Sequence, residues 1–135
     1  MPNSRYEELT DAQCWDLLDA TRFGRLATCA AGEPDIFPVN FLVHDGQIVM
    51  KTAPGTKLAE VAINKAVAIE ADQVTGDEAW SIIAKGVARV VETLSESYQL
   101  DDEHLQTWLP EDKPNYVVVD VQSMSGRRFY RDLTP

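Results

Sequence analysis

The sequence predicts a mainly β domain in which consecutive antiparallel strands curl into a closed or partly closed barrel, with short helices packed outside it. Six or seven apolar segments occur between residues 24 and 131, and most follow one another without an intervening helix. Gly86 lies in the middle of a long apolar segment, as at the bulge or bend where a sheet curls. No G-x-G-x-x-G or Walker lysine motif is present, which disfavours a doubly wound nucleotide-binding sheet.

Size and charge limit the possible functions. The 135 residues suit one domain, residues 1–135, and a hydrophobic content of 44% is sufficient for one core. With 12 basic and 22 acidic residues the net charge is −10, which repels polyanions, so we expect neither a nucleic acid nor an anionic membrane as partner. A local group of lysines is therefore a stronger indication of an anion site in this chain, because an anion must be held against the overall negative charge.

Location and redox state follow from two further observations. The chain has no apolar run of the ~18 residues that a membrane span requires, and its start lacks the apolar core of a signal peptide. We therefore expect a cytoplasmic protein. Cys14 and Cys29 lie on different predicted elements and form no Cys-x-x-Cys pair, so both are expected to be reduced packing residues.

The first third of the chain predicts one helix and two strands. Thr10 and Gln13 have the spacing of a capping box, which predicts a helix over residues 10–20. A strand of small residues follows over residues 25–30. The next strand spans residues 35–43, and Pro38 within it indicates a sheet edge or a bulge.

The middle of the chain predicts a hairpin, a helix and a strand. Asp45-Gly46 is typical of a two-residue hairpin turn. Thr56 can cap a helix over residues 56–64. A strand over residues 66–71 follows, and residues 72–78 are expected to form an acidic loop.

The last part of the chain predicts three strands and a second helix. A long strand is expected over residues 79–93, and an acidic helix over residues 95–106. A proline-bounded loop spans residues 109–114. Residues 116–121 form the clearest β segment, with four valines and a tyrosine, and residues 126–130 predict a last short strand.

A candidate anion site lies between the hairpin and the helix that follows it. Lys51 and Thr52 end a strand, and Thr56 and Lys57 begin the helix after a Pro-Gly turn. A lysine in the first turn opposes the helix dipole, at a cost of up to about 1 kcal/mol, and a bound anion would remove that conflict. The four side chains predict a phosphate cradle. Taken singly, each is better explained as an ordinary surface lysine, strand residue or cap, and only the four together favour an anion site.

The sequence offers little for direct catalysis. His44 lies beside the hairpin turn and His104 lies in an acidic run, and neither accompanies a recognisable nucleophile motif. The histidines and cysteines have none of the usual metal-ligand spacings, so no metal site is expected. If the protein is an enzyme, its chemistry is expected to come from a bound cofactor.

Five motifs in order resemble the pyridoxamine 5′-phosphate oxidase-like family, and in particular its short actinobacterial-type members. They lie between about residues 9 and 91, and a sixth similarity is found near the end of the chain. The motifs are FGRLAT (23–28), PDI with PVNF (34–36 and 38–41), MKTAPGTKL (50–58), VAIEAD (67–72), WSIIAKGVA (80–88) and, near the end, GRRF (126–129).

The resemblance implies a fold, a cofactor and a partner. The fold is a six-stranded antiparallel split β-barrel of Greek-key type. It forms a homodimer that holds one flavin mononucleotide (FMN) in each of two clefts between the subunits. The residues implied in cofactor binding fall into three groups. Pro38, Val39, Asn40 and Phe41 lie along the ring, Lys51 and Thr52 meet the ring edge or the phosphate, and Thr56 and Lys57 hold the phosphate. Trp80 and Ser81 complete the cleft, in one possibility from the other chain.

The implied activity is that of an FMN-dependent oxidoreductase acting on an unidentified small molecule. Lys51 stands where many relatives have arginine, which keeps the charge but loses the bidentate fork. The chain also lacks the C-terminal arginine and histidine arrangement and the longer tail with which true pyridoxamine phosphate oxidases hold their substrate. Two alternatives stay open. One is a deazaflavin-dependent reductase of the same fold, and the other is a non-catalytic flavin- or haem-binding module.

Overall fold

One antiparallel sheet and two helices make up the fold. The computed structural model describes residues 4–52, 55–91 and 115–131, and within them all eight strands belong to a single sheet. In chain order the elements are β1 Ser4–Glu8, α1 Asp11–Thr21, β2 Phe23–Ala30, β3 Glu33–Asn40, β4 Leu42–His44, β5 Gln47–Thr52, α2 Thr56–Ile63, β6 Ala66–Thr75, β7 Glu78–Val91 and β8 Asn115–Arg131. The prediction of a mainly β antiparallel domain with peripheral helices is confirmed.

The order of the strands requires the sheet to curve. Neighbouring strands run β3-β2-β6-β7-β8-β5-β4, and β1 pairs with β8 outside this path. In a flat sheet the two edges, β3 and β4, would lie about 29 Å apart. Only Phe41 separates these strands in the chain, which limits the distance between their ends to about 7.6 Å. The sheet therefore curls until its edges approach each other, while its hydrogen-bonded path stays open between them.

One predicted strand was wrong at the ends of this path. The segment predicted as one strand over residues 35–43 is divided into β3 and β4 at Phe41, whose backbone N–H donates to Arg22 O at 3.0 Å instead of to a sheet partner. The predicted edge position of Pro38 is confirmed, because β3 is the first strand of the path. Residues 53–54 are not described, and α2 starts at Thr56.

Three further predictions are corrected by strand pairing. Residues 72–75 belong to β6 instead of an acidic loop, because they pair with β7 up to a turn at Gly76 with φ 58°. The two strands predicted over residues 116–121 and 126–130 are one strand, β8, whose length is supported by β7 on one side and by β5 and β1 on the other. β1 was not predicted, and it pairs with the last residues of β8. The helix and loop predicted over residues 95–114 lie outside the described residues.

Two other predictions are confirmed. Asp45 and Gly46 have φ values of 47° and 77° in the turn between β4 and β5, as a two-residue hairpin turn of this type requires. The register of β7 with β8 shifts between Lys85 and Gly86, which is the predicted bulge. A Cβ at Gly86 would lie 2.2 Å from Asp120 O, so the close approach of the two backbones requires glycine here.

The helices cover different parts of the inner face of the sheet. In α1, Thr10 accepts from Gln13 N–H and the Gln13 side chain accepts from Thr10 N–H, which confirms the capping box. Cys14 and Leu18 of α1 are fully buried, and Cys14 packs next to Gly126 of β8. α2 packs on β2 and β7 through Val61. Neither helix of the described residues has the length and apolar character needed to cross a membrane.

The core lies on the concave side of the sheet, where alternate residues of β2, β6, β7 and β8 point inward. Its largest fully buried side chains are Phe41, Leu18, Leu26, Ile48, Met50, Ile69 and Ile82. Most outward-facing residues of the same strands are at least partly exposed, but Tyr116 and Val118 of β8 are buried with Leu42 and Val49 in a second, smaller cluster on the other face. Cys29 is one of the exposed outward-facing residues, so the expectation that both cysteines are packing residues was wrong for Cys29 and right for Cys14.

Candidate functional site

The start of α2 is the centre of the predicted anion site. Gly55, not Thr56, occupies the N-cap position, and no side chain caps this end of the helix. The prediction of a Thr56 cap was therefore wrong by one residue. Thr56 is the first helical residue and Lys57 the second, so the free N–H groups of the first turn lie beside the lysine.

Lys57 is held in an unusual position for a cation. Its side chain is half-buried, and burial lowers the pKa of its ammonium group from the ordinary value of 10.5. The ammonium nitrogen lies 5.8 Å from the centroid of the Phe37 ring, which gives it a cation–π contact with β3. This contact places the first turn of α2 next to the strand that contains Pro38 to Phe41.

No carboxylate of the described residues neutralises Lys57. Glu60, one turn further along α2, accepts a hydrogen bond from the hydroxyl of Thr28 on β2. Lys51 likewise has no carboxylate partner within ion-pair distance among the described residues. Two unpaired lysines are notable in a chain with 22 acidic residues.

Lys51 and Thr52 lie at the end of β5, next to α2 in the chain. Lys51 is half-buried opposite Tyr116 of β8, and Thr52 is buried opposite Asn115. Three residues separate Thr52 from Thr56, so their Cα atoms lie within about 15 Å of each other. The chain thus keeps the backbones of the four predicted cradle residues at one end of the sheet, while Lys51 and Thr52, as successive strand residues, point to opposite faces of β5.

The predicted ring-binding segment is the last part of the edge strand β3. Pro38 is exposed, Asn40 is half-buried, and the side chains of Val39 and Phe41 point into the core, with 4% and 1% of their surface exposed. A ligand on this side can therefore meet the backbone edge of β3 and the side chains of Pro38 and Asn40, but not those of Val39 and Phe41. The Phe41 N–H is already engaged by Arg22.

Trp80 and Ser81 occupy opposite faces of β7. Trp80 is 6% exposed and packs in the main core, opposite Arg128 of β8. Ser81 is half-buried on the outer face, between Asp72 of β6 and Arg127 of β8. Within one chain these two residues do not share a surface.

Two residues at this end of the sheet were missed by the sequence analysis. Phe37 supports the Lys57 ammonium, and Glu60 is held away from it by Thr28. The alternation of β3 could have indicated that Phe37 and Val39 share a face. Nothing in the sequence indicated that α2 would bring Glu60 to Thr28, which lies 32 residues away.

Among the residues that the structure describes, the remaining titratable groups show no catalytic arrangement. His44 is exposed, with its Nε2 atom 3.2 Å from Asp45 Oδ2 next to the hairpin turn. Across residues 4–52, 55–91 and 115–131, no three histidine, cysteine or acidic side chains come together as metal ligands would. His104 lies outside the described residues.

Comparison with known proteins identifies the family. The family model described as pyridoxamine 5′-phosphate oxidase matches residues 10–128, and the chain therefore belongs to this family. An uncharacterised protein of Mycobacterium tuberculosis is 32% identical over 88 residues, which cover 65% of this chain and 80% of that protein.

Solved structures share the fold. The FAD binding protein from Mycobacterium smegmatis is 36% identical, with a TM-score of 0.77 over 93% of this chain and 99% of that one. A FAD-binding protein from Mesorhizobium loti has a TM-score of 0.81 over 95% and 99% of the two chains, at 22% identity. The second similarity concerns the fold alone.

Proposed function

We propose that this protein binds a flavin nucleotide with its phosphate at the start of α2, and uses it as the redox cofactor of an oxidoreductase acting on a small molecule. The observation that carries the proposal is Lys57, a half-buried cation in the first turn of a helix with no carboxylate partner among the described residues. Membership of the family and the Mycobacterium smegmatis relative, which is named for FAD binding, support a flavin as the ligand.

The cradle has the donors that a phosphate requires. Lys51 and Lys57 supply two positive charges, and the first turn of α2 supplies free N–H groups. Partial burial strengthens such charged hydrogen bonds, since less water competes for the phosphate oxygens. Because the phosphate next to the ribityl chain is common to FMN and FAD, the cradle suits both, and we retain FMN as the proposed cofactor with FAD as the other form to be tested.

The edge of β3 is proposed to face the flavin ring. An edge strand leaves one row of backbone groups outside the ladder, and Pro38 removes one of the donors that another strand would need. When bound, the flavin would supply hydride or electron transfer. The chain's own contribution is to hold the phosphate with Lys51 and Lys57 and to place the ring along residues 38–41.

The proposal includes a homodimer with clefts between the subunits, as the family resemblance implies. The predicted cleft residue Ser81 points away from its own core, on the outer face of β7. In a homodimer it could meet the cofactor held by the second copy. Trp80 is buried in its own core, so we propose that it supports the cleft from the core side of β7 and does not touch the flavin ring.

Titration with flavins tests the proposal. FMN, FAD, riboflavin and the deazaflavin coenzyme are added separately to the purified protein, and binding is followed by flavin fluorescence and visible absorption. We expect FMN or FAD to bind with micromolar or lower Kd and riboflavin, which lacks the phosphate, to bind at least about tenfold more weakly. Equal affinity for riboflavin and FMN would remove the cradle from the site, and absence of flavin binding would overturn the proposal.

Turnover is tested separately from binding. The bound flavin is exposed to reduced nicotinamide cofactors and then to small electron acceptors, and its absorption is followed through reduction and reoxidation. Reduction and reoxidation on the scale of seconds support an oxidoreductase. A flavin that binds tightly and stays oxidised in all of these mixtures would indicate the non-catalytic binding module instead. Tight binding of the deazaflavin alone would identify the deazaflavin-dependent reductase.

A further inference from the structure

The inward side of β2 contains a polar side chain where packing requires none. Leu26, Thr28 and Ala30 face inward at alternate positions, and Thr28 is only 4% exposed. In the described parts of the chain, Thr28 and Thr52 are the two polar residues that are buried. Valine has nearly the same size and shape and would fill this position without needing a hydrogen-bond partner. Packing therefore does not explain the hydroxyl of Thr28.

The partner of this hydroxyl is a carboxylate of α2. Thr28 Oγ1 donates to Glu60 Oε2, and hydrogen bonds to an ionised acceptor are among the stronger ones in proteins. Glu60 follows Lys57 by three positions, a spacing that makes two helical side chains neighbours, with Cβ atoms about 5–6 Å apart. The two nevertheless form no ion pair in the described structure. Thr28 thus holds a carboxylate that is within reach of Lys57.

The position of α2 does not depend on this hydrogen bond alone. Val61 anchors the helix in the main core, where its side chain is 1% exposed. At the end of the helix, Asn64 Nδ2 donates to Cys29 O of β2 at 2.8 Å. Because these contacts already fix the helix to the sheet, the bond between Thr28 and Glu60 is available for another role.

A second carboxylate lies on the neighbouring strand, but it is engaged locally. Asp35 of β3 is opposite Thr28 in the strand pairing, and it is exposed. Its Oδ1 atom accepts from the N–H of Ile36 at 3.2 Å, and it forms no ion pair with Lys57. Glu60 is therefore the carboxylate that α2 itself places beside Lys57.

We infer that Thr28 is a positioning residue of the cradle: its hydroxyl binds the Glu60 carboxylate, prevents it from neutralising Lys57, and so leaves the ammonium group free for a phosphate. The inference deepens the proposed function and rests on it. Without the hydroxyl, the carboxylate loses its donor, and the ammonium group is the cation within its reach. A phosphate would then have to displace the carboxylate or bind next to it, and both weaken anion binding.

A double-mutant cycle between Thr28 and Glu60 tests the inference. Thr28→Val removes the hydroxyl at almost constant volume, and Glu60→Gln replaces the carboxylate by a neutral amide whose oxygen can still accept from Thr28. The pKa of Lys57 is measured without flavin by NMR of ¹³C-labelled lysine side chains, with Lys57→Arg to assign the signal. Isothermal titration gives the Kd of FMN, and far-UV circular dichroism verifies folding.

The two substitutions should depend strongly on each other. In Thr28→Val we expect the pKa of Lys57 to rise, because a neighbouring carboxylate favours the charged ammonium form, and the Kd of FMN to rise at least about threefold. Adding Glu60→Gln should return the pKa toward that of the wild type and the Kd to within about twofold. In the wild-type background, Glu60→Gln should change both quantities little, because Thr28 already holds the carboxylate. Comparison of the two backgrounds cancels the effect of net charge.

Two further variants complete the test. Thr28→Ser keeps the hydroxyl and should behave as the wild type does. Thr21→Val is the matched control, because it removes a hydroxyl that donates to Leu17 O at 2.7 Å within α1, and it should change neither quantity.

Three results would overturn the inference. They are an unchanged Lys57 pKa in Thr28→Val, an unchanged Kd of FMN in that variant, and a loss of affinity that Glu60→Gln does not reverse. The last result would mean that Thr28 only supports the position of α2. Because the pKa is measured without flavin, the expected pKa pattern together with no FMN binding by the wild type would overturn the proposed cofactor, while Thr28 would remain the residue that keeps Lys57 unpaired.

Discussion

Two groups of cations in this protein have different surroundings. Four arginines each lie within 3.4 Å of a carboxylate, and these pairs connect neighbouring strands or close the end of α1. They are Arg22 with Asp19, Arg25 with Glu70 and Asp72, Arg89 with Asp120, and Arg128 with Glu7 and Glu78. Lys51 and Lys57, at the junction of β5 and α2, have no such partner among the described residues, although both are partly buried.

The difference separates cations that serve the fold from cations available to a ligand. With 22 acidic and 12 basic residues, a cation in this chain would find a carboxylate easily if the fold required one. The nearest acidic residue along α2 from Lys57 is Glu60, and Thr28 holds it in a hydrogen bond. The free energy lost by burying Lys57 without a counter-ion is a cost to the empty protein that a bound phosphate would offset.

Lys57→Ala should have the largest effect on function. We expect it to weaken FMN binding by about 1.5–3 kcal/mol, or about 10- to 150-fold in Kd, because a charged hydrogen bond to the phosphate is lost. The melting temperature should not fall, since the substitution removes a partly desolvated charge. Lys65→Ala is the control at an exposed position, and isothermal titration gives both affinities. A loss of affinity equal in the two variants would mean that net charge, not the cradle, attracts the flavin.

The pH dependence of binding is the next largest expected effect. Burial lowers the pKa of Lys57 from 10.5, so the ammonium group loses its proton at a lower pH than an exposed lysine does. FMN affinity should be constant near neutral pH and then fall by at most about tenfold per pH unit as Lys57 deprotonates. Lys57→Arg keeps its charge in this range and should make the profile flat. An alkaline fall that is unchanged in Lys57→Arg would assign the titration to another group.

The same lowered pKa has the opposite effect on the stability of the flavin-free protein: FMN affinity should fall with pH, whereas stability should rise. Between the lowered pKa of folded Lys57 and the ordinary value of 10.5, the unfolded chain binds more protons than the folded chain. The free energy of unfolding without flavin should therefore rise with pH across this window through this group. Urea unfolding of wild type and Lys57→Arg at alkaline pH measures the difference, and a steeper rise in the arginine variant would contradict it.

Local signals in the sequence predicted much of the fold. The capping box of Thr10 and Gln13, the Asp45-Gly46 turn and the bulge at Gly86 depend on residues a few positions apart, and all three are present. The errors involve long-range pairing. β1 is short and has no apolar alternation, and it forms only because β8, more than 100 residues later, provides its partner. Residues 72–75, three of which are polar, are held in a strand by β7 in the same way.

For the candidate site, the sequence predicted only which residues lie near one another along the chain. Lys51, Thr52, Thr56 and Lys57 are close in sequence, and the chain keeps them close in space. The contacts that make Lys57 unusual come from Phe37 and from the Thr28–Glu60 hydrogen bond, which depend on how α2 packs against β2 and β3. The roles predicted for Trp80 and Ser81 depend on a second subunit and stay predictions.

Arg128 provides the smallest expected effect and a direct test of the division between the two groups of cations. Its Nη1 atom lies 3.4 Å from Glu7 Oε1 of β1. Its buried Nε atom lies 3.0 Å from Glu78 Oε1 of β7, which is within ion-pair distance, but it makes no hydrogen bond in the described structure. Arg128→Met should lower the free energy of unfolding in urea by about 1 kcal/mol, because both carboxylates are about half exposed and water partly replaces the guanidinium. Arg89→Met removes a single ion pair that is more exposed, and it should cost less than about 0.5 kcal/mol.

Neither variant should change FMN affinity, since neither arginine lies at the start of α2. If Arg128→Met weakens FMN binding as much as Lys57→Ala does, the paired cations also serve the ligand, and the distinction between the two groups fails.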